Sequence, residues 1–228
     1  MTDYLTIYRD HAAAYDKLVS AEDCDHQLLP AIERLCPLAS ASVLEVGTGT
    51  GRISRLLVGQ GARLVGFDFS PAMLAVAHDH LGNSAALAQA DARNLPLAPR
   101  WADLAIAGWV FGHMTRWFSD RWQSTIGQAL DEMARVLKPG AAQIVIETLG
   151  TGRTEPAAPN EALAAYYSWL ESVRGFQRVT LRTDLCFDDV EQAAQLTGFF
   201  FGSAFADQVR QQRWSRVPEC TGLWWKRL

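Results

Sequence analysis

The chain has 228 residues, 49% of them hydrophobic, enough for one compact domain with a sizeable core and too few for two full ones. A formal net charge of −4 and a pI near 5.7 provide no basic excess, and the arginines are scattered, so neither nucleic acid nor an anionic membrane is an expected partner. No apolar run approaches the roughly 20 residues that cross a bilayer, and the opening MTDYLTIYRDHAAAYDKL carries acids and lacks a signal-peptide core, so the expected location is the cytoplasm.

Residues 9–36 read as helix, with Tyr15, Leu18, Leu28, Ile32 and Leu35 on apolar positions and Pro30 starting a second segment. SVLEV at 42–46 is a buried strand, followed by a glycine-rich turn and a helix from about Arg52 to Gly59. RLVGFD at 63–68 is the next strand, and Ser70 with Pro71 caps the helix SPAMLAVAHDHL. Strands near 85–90, 102–110 and 142–147 and a helix over 120–137 continue the alternation. Strands this apolar need cover on both faces, so the pattern predicts an α/β fold with a mostly parallel sheet. Beyond Gly150 come a loop, the helix EALAAYYSWLESV, a strand or edge segment FQRVTLRTD, the helix FDDVEQAAQLTGFF, a strand at FFGSAF and a final strand CTGLWWKRL at the sheet edge. Cys24, Cys36, Cys186 and Cys220 lie far apart without a C-x-x-C pair and read as reduced, buried thiols; no metal site is expected.

The chemistry-bearing stretch is VLEVGTGTGRIS. Glu45, Gly47, Gly49 and Gly51 give E-x-G-x-G-x-G at the carboxyl end of the first strand, where open α/β sheets bind ligands. Glycines there allow a ligand against bare backbone, and they equally serve a tight turn at positive φ. Asp68 ends the second strand at the place where an acid meets ribose hydroxyls, or else caps the following helix. Asp91 follows the third strand and either accepts from an exocyclic amine or is a surface acid.

Taken in order, VLEVGTGTGRIS, LVGFDFSPAML, AQADARNLPLAPRWADLAIAGWVFGHM and ARVLKPGAAQIVIE resemble the class I S-adenosylmethionine-dependent methyltransferases of the small-molecule type, over roughly residues 40–150. The resemblance implies a Rossmann-like, doubly wound sheet of seven strands with helices on both faces and an antiparallel edge strand, which CTGLWWKRL would supply. It implies one methyltransferase domain over 1–228: a helical lid at 1–40, a cofactor-binding core at 41–150, a cap or insertion at 151–185 and the C-terminal part of the sheet at 186–228. S-adenosyl-L-methionine would lie with its methionine along Glu45, Gly47, Thr48, Gly49 and Gly51. Asp68 would hold the ribose, Phe69 and Met73 would flank the adenine, and Asp91 with the Ala92 N–H would face its edge. Gly108 and Trp109 would floor the pocket, and Tyr8 and Tyr15 of the lid would approach the cofactor or simply pack.

Methyl transfer is an in-line displacement, so positioning and exclusion of water carry most of it. His113 is the candidate general base, with local packing as its other role. Glu147 enters the acceptor pocket or, as the safer expectation, faces solvent. Trp109, Phe111, Trp117, Trp122, Tyr166, Tyr167 and Trp169 are candidates for an apolar acceptor pocket, and Arg174, Arg178 and Arg182 for contacts with an acidic acceptor; both sets also suit core and surface roles. The expected acceptor is a small organic molecule. A nicotinamide-dependent oxidoreductase is the first alternative, weakened because G-x-G-x-x-G fails at Arg52; a non-catalytic cofactor-binding protein of the same fold is the second. Oligomeric state is not legible.

Overall fold

The structure, a computed structural model, describes residues 4–228. It begins with helices α1 (Tyr4–Asp10), α2 (Ala12–Val19) and α3 (Leu28–Glu33). The core follows as β1 (Ser42–Val46), α4 (Arg52–Val58), β2 (Arg63–Asp68), α5 (Pro71–Leu81), β3 (Ala85–Gln89), β4 (Ala102–Gly108), α6 (Phe111–Trp117), α7 (Trp122–Val136) and β5 (Leu137–Thr151). Then come α8 (Glu161–Ser172), β6 (Gln177–Arg182), β7 (Leu185–Cys186), α9 (Val190–Phe201), α10 (Ser203–Gln212), β8 (Arg216–Val217) and β9 (Glu219–Arg227). Seven strands form one sheet in the order β3-β2-β1-β4-β5-β9-β6, with β9 antiparallel to both neighbours and the other pairings parallel. This is the doubly wound, Rossmann-like α/β architecture expected.

Every residue of β1 is buried, and its alternate side chains enter different cores. Leu44 and Val46 join Ala105, Ala107 and Val145 beneath Ile126, Leu130 and Met133 of α7. Val43 joins Leu104, Ile106, Ile144 and Ile146 against Ile53 and Leu57 of α4 and Leu28 and Ile32 of α3. Each full burial of a Leu or Ile contributes about 1.5–3 kcal/mol, so the two layers hold the strand ends where the glycine turn begins. Helix starts are set locally: Ser70 Oγ accepts from the Met73 N–H with Pro71 behind it, Asn160 Oδ1 accepts from Leu163, and Asp189 Oδ1 from Gln192. Among the described residues no helix is long and apolar enough to cross a membrane.

Four expectations are corrected. The amino-terminal segment is three helices: α1 and α2 break at His11, and α3 is started by Asp23, whose carboxylate accepts from the Gln27 and Leu28 N–H groups, and not by Pro30. FFGSAF is helical, because Gly202 at φ +97° separates α9 from α10 and the two cross where a Cβ on Gly198 would come 2.8 Å from Ala206 Cβ. The final strand is interior, with β6 as the edge; the fully buried Trp224, donating to Glu171 at 2.9 Å, needs cover on both sides. Cys24 and Cys186 form a disulfide, while Cys36 and Cys220 are free and buried. The backbone brings the pair together: the Cys24 N–H donates to Asp184 and the Cys186 N–H to Ala21, a long-range pairing that sequence spacing does not encode.

Alkylation without reductant should therefore leave a Cys24–Cys186 linked peptide in a mass map. Reduction should remove about 2–4 kcal/mol of stability, and a melting midpoint insensitive to reductant would show that the link is not part of the native chain.

Candidate functional site

The turn from β1 into α4 uses its glycines for two purposes. Gly47, Gly49 and Gly51 all have positive φ, at +70°, +57° and +88°. A Cβ on Gly51 would lie 3.3 Å from Leu81 and one on Gly49 3.6 Å from Met73, so these two let α5 pack onto the turn; Gly47 borders the cavity beyond the strand ends. The turn is stitched to β2. Gly47 and Thr48 donate to the Phe67 carbonyl, and Asp68 accepts from Gly49 through Oδ2 and from Ser70 through Oδ1, each at 2.8 Å. Burial pushes the Asp68 carboxyl up, and the amides of Ser70, Gly49 and Phe69 oppose it. Thr48 turns its hydroxyl onto Gly66, and the buried hydroxyls of Thr48 and Thr50 have no hydrogen-bond partner among the described residues. Glu45, 1% exposed, accepts from Ser54 Oγ, and burial raises it from 4.5 to about 8.

A cavity of about 620 Å³ opens at the carboxyl ends of β1, β2 and β3, bordered by Gly47, Asp68, the exposed Phe69, Asp91, Ala92 and Trp117. Asp91 forks with Arg93, at 2.9 and 2.5 Å, and that pairing holds its carboxyl below the usual range. Met73 packs beneath the turn with Ile7, Tyr8 and Ala12, and Gly108 faces Ile53, so neither borders this cavity. A glycine-bounded hollow with an acid at its floor and an aromatic ring at its mouth fits a nucleoside cofactor.

A second cavity, about 930 Å³, lies between α1 and α2, α6 and α9, and shares Trp117 with the first. His113 stands in its wall, stacked on Trp117 at 5.3 Å and bonded through Nε2 to the Tyr8 hydroxyl at 2.8 Å. Burial, with the Arg116 charge adding, lowers His113 to about 4, so the ring is neutral; burial keeps the Tyr8 phenol protonated, and Tyr8 is the donor. Ser70 Oγ donates to the Tyr8 carbonyl at 3.0 Å, tying α1 to the Asp68 turn. Tyr15 lies edge-on to Tyr8. Trp109, at φ +56°, carries the Arg52 guanidinium 3.3 Å over its ring, and Arg52 is ion-paired with Glu22.

Glu147 is 3% exposed and borders this cavity, accepting from the Gly112 N–H at 2.8 Å, so the solvent-facing expectation is corrected: β5 is covered at both faces here. Burial raises it to about 8. Glu219, also pushed up by burial to about 8, accepts from Thr148 Oγ1 at 2.6 Å. Of the aromatic candidates, Trp109 and Trp117 border the cavity, whereas Phe111, Trp122, Tyr166, Tyr167 and Trp169 belong to the core around α7 and α8. Arg174, Arg178 and Arg182 pair with Asp131, Glu171 and Asp184 outside it. Sequence reasoning passed over Glu22, Arg52, Glu219 and Phe200. Only Arg52 had a local signal, its place as the first residue of α4.

Against known proteins, the family described as Methyltransferase domain matches residues 44–145. The biotin biosynthesis bifunctional protein BioHC of Cellvibrio japonicus is 29% identical over 212 residues, 93% of this chain and 36% of that protein. The demethylmenaquinone methyltransferase of Chlorobaculum tepidum is 32% identical over 165 residues, 69% of this chain and 61% of that one. This chain therefore spans less than two thirds of either relative. Among solved structures, Haemonchus contortus phosphoethanolamine N-methyltransferase 2 in complex with S-adenosyl-L-methionine superposes with a TM-score of 0.60 at 17% identity, covering 100% of this chain and 61% of that one.

Two measurements check the geometry of the turn. Gly47→Ala places a Cβ 2.2 Å from Val110 Cγ2, which should cost about 1–3 kcal/mol in overlap beside about 1–2 kcal/mol for a left-handed L-residue; adding Val110→Ala should recover only the overlap. For Glu45 the native state keeps its proton above 4.5, where the unfolded chain has lost it, so this group's stabilisation falls as pH rises from about 4.5 to about 8 and is level above. Urea midpoints of Glu45→Gln relative to wild type should improve across that window, and parallel pH profiles would count against a buried, proton-holding Glu45.

Proposed function

We propose, from the premise that this chain belongs to the class I S-adenosylmethionine-dependent methyltransferases, that it transfers a methyl group to a small organic acceptor by in-line displacement. The observation that carries the reading is the pair of cavities meeting at Trp117, one suited to a nucleoside and one to an apolar partner. Bound S-adenosylmethionine supplies an electrophilic methyl on a sulfonium. The chain supplies the rest. Asp68 has lone pairs left for ribose hydroxyls after serving Gly49 and Ser70. Phe69, Asp91 and Ala92 border the adenine end, and Tyr15, Arg52 and Trp109 border the second cavity toward the methionine end.

The acceptor side is walled by rings of Tyr4, Tyr8, Trp109, Trp117 and Phe200, which exclude water and hold a flat apolar molecule in place. Positioning of this kind supplies several powers of ten in rate. The relatives named demethylmenaquinone methyltransferase support an apolar small molecule as the acceptor class. His113 acts here as a positioning residue, because its Nε2 already accepts the hydrogen bond of the Tyr8 hydroxyl and its ring is fixed against Trp117.

Calorimetric titration with S-adenosylmethionine and separately with NAD should show one-to-one binding of the first and none of the second. Asp68→Ala and Asp68→Asn should each weaken the first about tenfold or more. Preferential binding of the dinucleotide would end this reading.

A further inference from the structure

The β4–β5 register pairs Gly108 with Ile146, and the Trp109 N–H donates to the Ile146 carbonyl at 2.7 Å. Glu147 therefore stands next to Trp109 at the crest of the sheet, on the acceptor side, with its carboxyl in the wall of the larger cavity. The Gly112 N–H fixes Oε1 and the Phe111 N–H also donates to the carboxylate, and with about four lone-pair sites it keeps capacity for a ligand's proton. The Tyr166 and Tyr167 phenols of α8 interact with it electrostatically, and the other titratable side chains bordering the same cavity include Glu22, Arg52, His113, Arg116, Arg153 and Glu219. We propose that Glu147 takes the proton from the methyl acceptor, so that the acceptor reacts through an O–H or N–H group. This rests on the methyl-transfer reading.

The balance is simple. The acceptor heteroatom forms a bond to the methyl carbon, the electron pair of the sulfur–methyl bond stays on sulfur, and the acceptor's proton passes to the Glu147 carboxylate. His113 is a weaker candidate for that proton, since its Nε2 is engaged and its basicity is depressed. Glu147 also gains basicity at the right moment. A neighbouring positive charge favours its ionised form, and once that charge is gone burial, opposed by the Gly112 and Phe111 amides, returns it toward about 8. Net charge in the buried site stays constant through the step.

The test needs no acceptor. Infrared spectra of the full chain saturated with S-adenosylhomocysteine should contain a protonated-carboxyl band titrating near pH 8. Replacing that probe with S-adenosylmethionine, which adds one methyl and one positive charge, should lower the midpoint by about one unit or more. The band is assigned by its loss in Glu147→Gln and its displacement in Glu147→Asp, so assignment survives failure of either variant to fold. Equal midpoints with both probes bound would overturn the assignment of Glu147, leaving the methyl-transfer reading intact. Failure of both probes to bind would overturn that reading and this inference with it.

Discussion

The Asp68 carboxylate is the fastening on which the rest of the site depends. One oxygen takes the Gly49 N–H and closes the glycine turn over β2; the other takes the Ser70 N–H and sets the first turn of α5. Ser70 then passes the connection to α1 through the Tyr8 carbonyl, and Tyr8 passes it to His113. A side chain that also borders the smaller cavity thus links the glycine turn, α5, α1 and α6. Its burial is affordable because amides satisfy it from both sides.

The second cavity has an unusual charge arrangement for a space lined mainly by rings. Glu22, Glu147 and Glu219 border it, and Arg52, stacked on Trp109, pairs with the first of them. Burial makes two of the three carboxyls proton carriers near neutrality. Trp109 joins these features, holding the cation on its face while its backbone sits in a region that costs a non-glycine residue about 1–3 kcal/mol. Such strain is commonly stored where a chain must turn sharply beside a ligand.

Much of the fold was legible because its signals are local. SVLEV and RLVGFD are continuous apolar runs of strand length, Ser70-Pro71 is a helix start, and glycines at 47, 49 and 51 mark the strand-to-helix turn. What misled was also local: FFGSAF, beginning at Phe200, read as strand, yet Phe200 and Phe201 end helix α9, whose neighbour is fixed by Gly198 meeting Ala206. The position of β9 inside the sheet, the Cys24–Cys186 link and the convergence of Glu22, Glu147 and Glu219 are products of tertiary assembly. No window of sequence contains both partners of any of them. Asp68 was readable as an acid at a strand end, but that both its oxygens serve backbone amides emerges only when turn and helix are seen together.

The disulfide turns the chain between Cys24 and Cys186, a separation of 162 residues, into a covalent ring that contains the strands β1 to β6. Two arms leave the ring from the same knot: one runs back into α2 and carries Tyr15, the other forward into α9 and carries Phe200. The contact of those rings at 5.5 Å is then a meeting of two short tethers, favoured by the high effective concentration that a common origin confers. The ceiling over the larger cavity is in this sense assembled from the chain's two outer portions at once, and opening the knot would lengthen both tethers without touching a single residue of the ceiling itself.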